Sequence, residues 1–114
     1  MIERSYDALV VGGGSAGMAA AAEIAGRGFS VGVAEREDCL GGILNQCIHN
    51  GFGLHEHGED LTGPEYVERA VRRTEETTGV DIFLETTINE KGETDDGLVV
   101  YGFSRLHGIV RFSV

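Results

Sequence analysis

Residues 7–35 read DALVVGGGSAGMAAAAEIAGRGFSVGVAE. Asp7–Val11 is a short apolar run of the kind shown by a strand buried on both faces. It leads directly into Gly12-Gly13-Gly14-Ser15-Ala16-Gly17, and the alanine-rich Met18–Ala25 that follows strongly favours helix. Gly26 and Gly28 stand where a helix C-cap is expected. Ser30–Glu35 is a second apolar strand candidate, and it terminates in an acid. Strand, glycine turn, helix and strand in this order form a βαβ unit, and hence an α/β fold with a parallel sheet.

The spacing Gly12-x-Gly14-x-x-Gly17 is weak evidence alone, because glycine-rich loops are common; its context makes it specific. The first glycine permits the tight turn out of the strand. The second removes a side chain where backbone approaches a pyrophosphate, and the third lets the helix pack closely on the strand. The helix start, with Ser15 and Ala16, offers free N–H groups and a positive dipole end to the phosphates. Glu35 follows Gly17 by 18 residues, at the end of the second strand, where a carboxylate can accept hydrogen bonds from both ribose hydroxyls. The expected ligand is therefore an adenine dinucleotide. An acid at this position repels a 2′-phosphate, which disfavours NADP, but the pattern does not separate NAD from FAD. The bland alternative is a strand-turn-helix whose glycines serve packing alone.

Beyond Glu35, residues 36 to 61 are irregular, with Gly41-Gly42, Gly51, Gly53, Gly58 and three histidines. A connection that long usually binds something or is disordered. Regularity returns at Thr62-Gly63-Pro64-Glu65, a capping box with proline in the first turn. Tyr66, Val67, Ala70, Val71 and Thr74 line one helical face, and Glu68, Arg69, Arg72, Arg73, Glu75 and Glu76 populate the other. Gly79 ends the helix, and Val80–Leu84 is a third strand candidate. Thr87 onward reads as a meander: a strand over Thr87–Glu90, a turn through Gly92–Gly97, a strand over Leu98–Phe103, a turn at Ser104–His107, and Ile109–Val114.

The 114 residues allow one domain. Glycine occurs 18 times, twelve of them before residue 59, against a single proline, so the excess belongs to the turn and the loop after it. The net charge is −10, and thirteen acids against four bases lie between Glu56 and Asp96. Such a surface repels nucleic acid and serves as a solvated face; high-salt adaptation is the other reading. No apolar stretch is long enough to span a bilayer and no export signal precedes the first strand, which predicts a cytoplasmic location with Cys39 and Cys47 as reduced thiols.

The run Glu35-Arg36-Glu37-Asp38-Cys39-Leu40-Gly41-Gly42-Ile43-Leu44-Asn45-Gln46-Cys47 resembles the pyridine nucleotide-disulfide oxidoreductase family of two-dinucleotide flavoproteins. Gly41–Tyr66 is similar to a subgroup described as NAD(P)/FAD-dependent oxidoreductases, some associated with glycerol-3-phosphate or dye-linked amine dehydrogenase systems. The resemblance implies a Rossmann-like FAD-binding domain over residues 1–114, with FAD on Gly12–Gly17, its ribose on Glu35, and Gly41, Gly42 and Ile43 beside the flavin. Two departures matter. Disulfide reductases carry Gly-Gly-x-Cys-x4-Cys, but Leu44 and His49 occupy those cysteine positions here, so no redox pair is expected. Family members also continue into an NAD(P)-binding domain, so the chain reads as the N-terminal, incomplete portion of a longer enzyme. The NAD(P) site is then expected outside it, and a sheet edge left unpaired invites self-association.

Cys47 is the one candidate catalytic residue, a thiol over the flavin; the alternative is a small buried side chain. Arg36 either flanks the adenine or reaches solvent. His49 is a conceivable proton donor, with a loop hydrogen bond as the alternative. Cys39, Cys47, His49, His55 and His57 lack the short repeated spacings of a structural zinc site, so no metal is expected. The resulting expectation is the FAD-binding part of an oxidoreductase moving electrons between NAD(P)H and a partner subunit or small substrate; the rival is a binding module that catalyses nothing.

Overall fold

The computed structural model describes residues 1–114. Strand β2 (Ala8–Val11), helix α1 (Ser15–Gly26) and strand β3 (Val31–Ala34) form the expected βαβ unit, and β4 (Val80–Phe83) extends it. The three strands pair in parallel in the order β2-β3-β4, with Val10 opposite Val33 and Val33 opposite Ile82. Every residue of β3 is buried, which is why this strand reads as an unbroken apolar run. The helix begins inside the glycine motif, because Gly14 serves as its N-cap. It also runs through Gly26, so the left-handed residue that follows it is Gly28.

The irregular stretch contains a short 3-10 helix (Gly42–Gln46) and the single-turn α2 (Leu54–His57), flanked by the isolated Phe52–Leu61 bridge. Helix α3 (Gly63–Glu76) starts on the expected capping box: the Thr62 hydroxyl accepts from the Glu65 N–H, and the Glu65 carboxylate accepts from the Thr62 N–H at 3.0 Å. Its buried face is Gly63, Val67, Ala70 and Thr74. Met18 and Ala21 of α1, Ala70 of α3, Val31 and Val33 of β3, and Leu40 form one continuous core between helices and sheet.

A second sheet has the order β1-β7-β6-β5. Its antiparallel meander is β5 (Thr86–Thr94), β6 (Gly97–Ser104) and β7 (Gly108–Ser113). The first hairpin is longer than its sequence suggests. Pairing continues from Lys91 to Thr94, across a bulge between Ile88 and Glu90, and Asp95-Asp96 alone make the turn. The glycines expected to break the strand instead pair within it, Gly92 opposite Val99. Strand β1 (Ile2–Ser5) has no counterpart in the sequence reading; it joins the sheet edge in parallel with β7.

The two sheets meet over Tyr6, Val100, Val110 and Phe112, with Leu9 and Phe83 contributed from the parallel sheet. Phe83 packs edge-on against Phe112 at 5.1 Å between centroids, and Tyr6 stands beside both. The Tyr6 hydroxyl donates to Asp81 at 2.7 Å, and Gly32 leaves the room its ring occupies. The order of layers is thus helices, parallel sheet, meander. No helix is long and apolar enough to cross a membrane.

Hydrogen bonds from Thr62 hold the Glu65 carboxyl below its usual range. Because the folded-state value is the lower one, the contribution of the cap is complete above the ordinary carboxylate pKa and is lost as pH falls through the lowered value. Thr62→Ala is expected to cost about 1 kcal/mol in thermal or urea melts at neutral pH. Glu65→Gln should flatten the acid side of the stability profile.

Candidate functional site

The site is assembled where β2 and β3 end side by side. The chain leaves β2 at Val11 and turns at Gly12, whose φ of 106° lies in the left-handed region. Gly12 N–H still donates to Ala34 C=O, which keeps the turn in register with β3. Gly17 then approaches the turn so closely that a Cβ would strike the Gly12 carbonyl. At Gly14, by contrast, a Cβ would meet nothing within 4 Å. The two glycines therefore do different work: Gly17 is required for the helix to pack, while Gly14 borders open space. The first turn of α1 carries no side-chain cap and no acid. The N–H groups of Ser15, Ala16 and Gly17 have no partners within the helix. An uncapped helix start beside open space fits a phosphate group.

Glu35 is 6% exposed, yet its carboxylate is fully tied to backbone. Oε1 accepts from Gly13 N–H at 2.9 Å, and Oε2 accepts from Glu37 N–H at 2.7 Å. The acid thus holds the glycine turn, a part its position in the sequence does not announce. Each oxygen retains a further lone-pair direction for a hydroxyl donor.

Gly41 N–H donates to Gly13 C=O at 2.8 Å, and Gly42 lies against Gly14. The Gly41-Gly42 pair therefore adjoins the glycine turn, with Ile43 70% exposed on the outer side. A recess of about 480 Å³ runs from Glu35 past Arg36 and Glu37 to Gly42, Ile43 and Gln46. Arg36 projects outward and pairs with Glu37 at 3.4 Å, both largely exposed.

Cys47 does not face this recess. Its Sγ lies 3.5 Å from Ile43 C=O, and its own carbonyl accepts from Gly63 N–H, which joins the 3-10 helix to the start of α3. Cys39 is exposed, and partial desolvation by its neighbours, with the Asp38 carboxylate beside it, pushes its thiol above its ordinary range. Both thiols are free. His49 stacks on Phe52 at 5.3 Å and His57 packs beside Tyr66, while no group of three potential metal ligands comes together.

Two contributors escape the sequence reading. Leu40 fills the space left by Gly13, and nothing in an isolated leucine signals this. Tyr66, read as one of the apolar helix-face residues, turns its hydroxyl to both oxygens of Glu56 at 2.8 Å. Its phenol is held above its ordinary range, first by that hydrogen bond and then by burial; the Ser15 hydroxyl and Arg73 act in the opposite direction.

The sequence matches the family described as FAD dependent oxidoreductase over residues 7–99. Among curated proteins nothing matches it. The structure is similar to L-proline dehydrogenase from P. horikoshii, with a TM-score of 0.77 at 22% identity over 96% of this chain and 21% of that one. It is also similar to T. acidophilum thioredoxin reductase, with a TM-score of 0.77 at 19% identity over 96% of this chain and 33% of that one. A third likeness is to p-nitrophenol 4-monooxygenase PnpA from Pseudomonas putida DLL-E4, with a TM-score of 0.69 at 16% identity over 99% of this chain and 40% of that one. These identities show a common fold, and the chain spans less than half the length of each of these structures. With the family match covering most of its length, from the first strand of the βαβ unit into the meander, the chain belongs to the FAD-dependent oxidoreductase family.

Proposed function

We propose that Gly12–Gly17 hold the FAD pyrophosphate, that Glu35 holds the adenosine ribose, and that Gly41, Gly42 and Ile43 border the flavin. The observation that carries this reading is the uncapped start of α1 next to Gly14, where backbone is open to a ligand, with the buried Glu35 carboxylate beside it. Arg36, at the rim of the recess that Glu35 lines, either flanks the adenine or reaches solvent. When bound, FAD supplies the redox chemistry; the chain supplies backbone donors, a carboxylate acceptor and a shaped recess. The larger activity we infer is electron transfer between NAD(P)H and a partner subunit or small substrate, in the cytoplasm, with the nicotinamide site outside these 114 residues.

A second reading, a dinucleotide-binding module that catalyses nothing, is favoured by Cys47, whose sulfur is turned toward Ile43 C=O. Anaerobic NADH addition to the FAD-loaded chain tests the placement of the nicotinamide site. Absorbance should stay unbleached, and bleaching at an enzymic rate would show that the chain holds a complete site and overturn both readings.

Two glycine variants test the cofactor assignment. Gly14→Ala places a methyl in open space at an ordinary φ of −78° and is expected to melt like the parent. FAD affinity should nevertheless fall by about tenfold or more. Gly17→Ala, which drives a methyl into backbone, should lose the cooperative melt itself. Equal FAD binding by the parent and Gly14→Ala would overturn the assignment.

Glu35→Gln puts an amide where two N–H donors converge, so one of them loses its acceptor. The expected cost is about 1–3 kcal/mol of stability, together with weaker FAD binding.

Both outer strands of the parallel sheet, β2 and β4, are edges. Self-association through an edge is the expected behaviour, visible as concentration-dependent sedimentation. A single monomeric species across concentrations would contradict it.

A further inference from the structure

A cleft of about 390 Å³ between α1 and α3 is bordered by Ser15, Met18, Glu23, Glu56, Tyr66 and Arg73. It brings the first residue of α1 together with two side chains from the irregular stretch and the helix after it. Tyr66 sits one turn into α3, and that turn is anchored twice. The capping box fixes its start, and Gly63 N–H donates to Cys47 C=O at 2.8 Å. Gly63 has no room for a side chain, since a Cβ would strike the Leu44 and Cys47 carbonyls. The Tyr66 ring is further held by Phe52 and His57, at 6.2 and 6.1 Å between centroids.

The partner, Glu56, stands on α2. This single turn lies between two left-handed glycines, Gly53 at φ 83° and Gly58 at φ 67°, and is closed by the reciprocal Phe52–Leu61 backbone bonds at 3.0 and 2.9 Å. It has no buried residue of its own. A turn that buries so little needs a side-chain tie to keep its place. The Glu56 carboxylate, hydrogen-bonded through both oxygens to the phenol, is that tie.

We propose that the Tyr66–Glu56 pair is a latch that positions the phosphate turn. It fastens segment 52–61 over the start of α1 and sets the orientation of Ser15. The proposal rests on the reading of Gly12–Gly17 as the pyrophosphate site and adds Tyr66 as a positioning residue of that site. Proton accounting shows how it acts. The phenol has one proton and spends it on Glu56, so toward Ser15 it offers only lone pairs. The Ser15 hydroxyl borders the same cleft and meets an acceptor there, while the Ser15 N–H at the helix start stays open to phosphate. Glu56 itself brings a negative charge near that site, so its hydrogen bond and its charge act on FAD in opposite directions.

The test is a double-mutant cycle on the 114-residue chain, read by flavin fluorescence titration with FAD and by amide hydrogen exchange without it. Tyr66→Phe and Glu56→Ala should each speed exchange across residues 52–61 and the first turn of α1. Tyr66→Phe should also weaken FAD binding about fivefold, the worth of one hydrogen bond. Glu56→Ala should weaken it less, because the opposing charge leaves with the hydrogen bond, and the double variant should match Glu56→Ala. Glu56→Gln keeps an acceptor for the phenol and removes the charge, so it should restore binding to the parental level or tighten it. Additive losses, unchanged exchange in Tyr66→Phe, or no rescue by Glu56→Gln would overturn the latch. Parental chain that does not bind FAD would instead refute the cofactor assignment, and the exchange measurement would still decide whether the latch exists.

Discussion

A buried carboxylate accepting two backbone N–H groups is the joint on which the candidate site depends. Glu35 carries a charge into the interior, which is tolerated because Gly13 and Glu37 satisfy both oxygens. Its backbone is bound as well: its N–H donates to Phe83 C=O, and its C=O accepts from Thr86 N–H. One residue therefore ties the glycine turn, the ends of β3 and β4, and the entry to the meander. The carboxylate proposed to hold the ribose is the same group that clasps the glycine turn.

Around that joint, close approach is bought with missing side chains. Gly17 admits the Gly12 carbonyl, Gly13 admits Leu40, Gly32 admits the Tyr6 ring, and Gly63 admits the carbonyls at the end of the 3-10 helix. At Gly14, the N-cap of the uncapped helix start, the missing side chain opens onto space rather than onto protein. That contrast separates glycines that pack from one at which a ligand can approach. Turn and loop come together through Gly41 N–H and Gly13 C=O.

Much of the fold was legible because it rests on local signals. The apolar runs of β2 and β3, the alanine helix and the Thr62–Glu65 box each declare themselves within a few residues. β1 was not, because Ile-Glu-Arg-Ser has neither alternation nor an apolar run; it is a strand only because β7 offers it an edge. The length of the β5–β6 hairpin was misread for the same reason. Gly92 is a poor strand residue by itself, and its place is set by cross-strand pairing with Val99. In the site, the glycines and Glu35 were legible from spacing. Leu40 and the Tyr66–Glu56 bond join residues far apart in the chain through contacts with no local pattern.

The sequence by itself determined the βαβ unit, the glycine turn and the acid that follows it, because strand, helix and turn preferences act over short distances. Tertiary structure alone decided the rest. It set the layering of meander on parallel sheet, turned Cys47 back toward Ile43 C=O, and tied the Glu35 carboxylate to the glycine turn. The physical reason is that a side chain's chemistry is set by which donors, acceptors and apolar groups the fold brings within a few ångströms of it. That proximity is a property of packing, and residue order carries it only where partners are also neighbours in the chain.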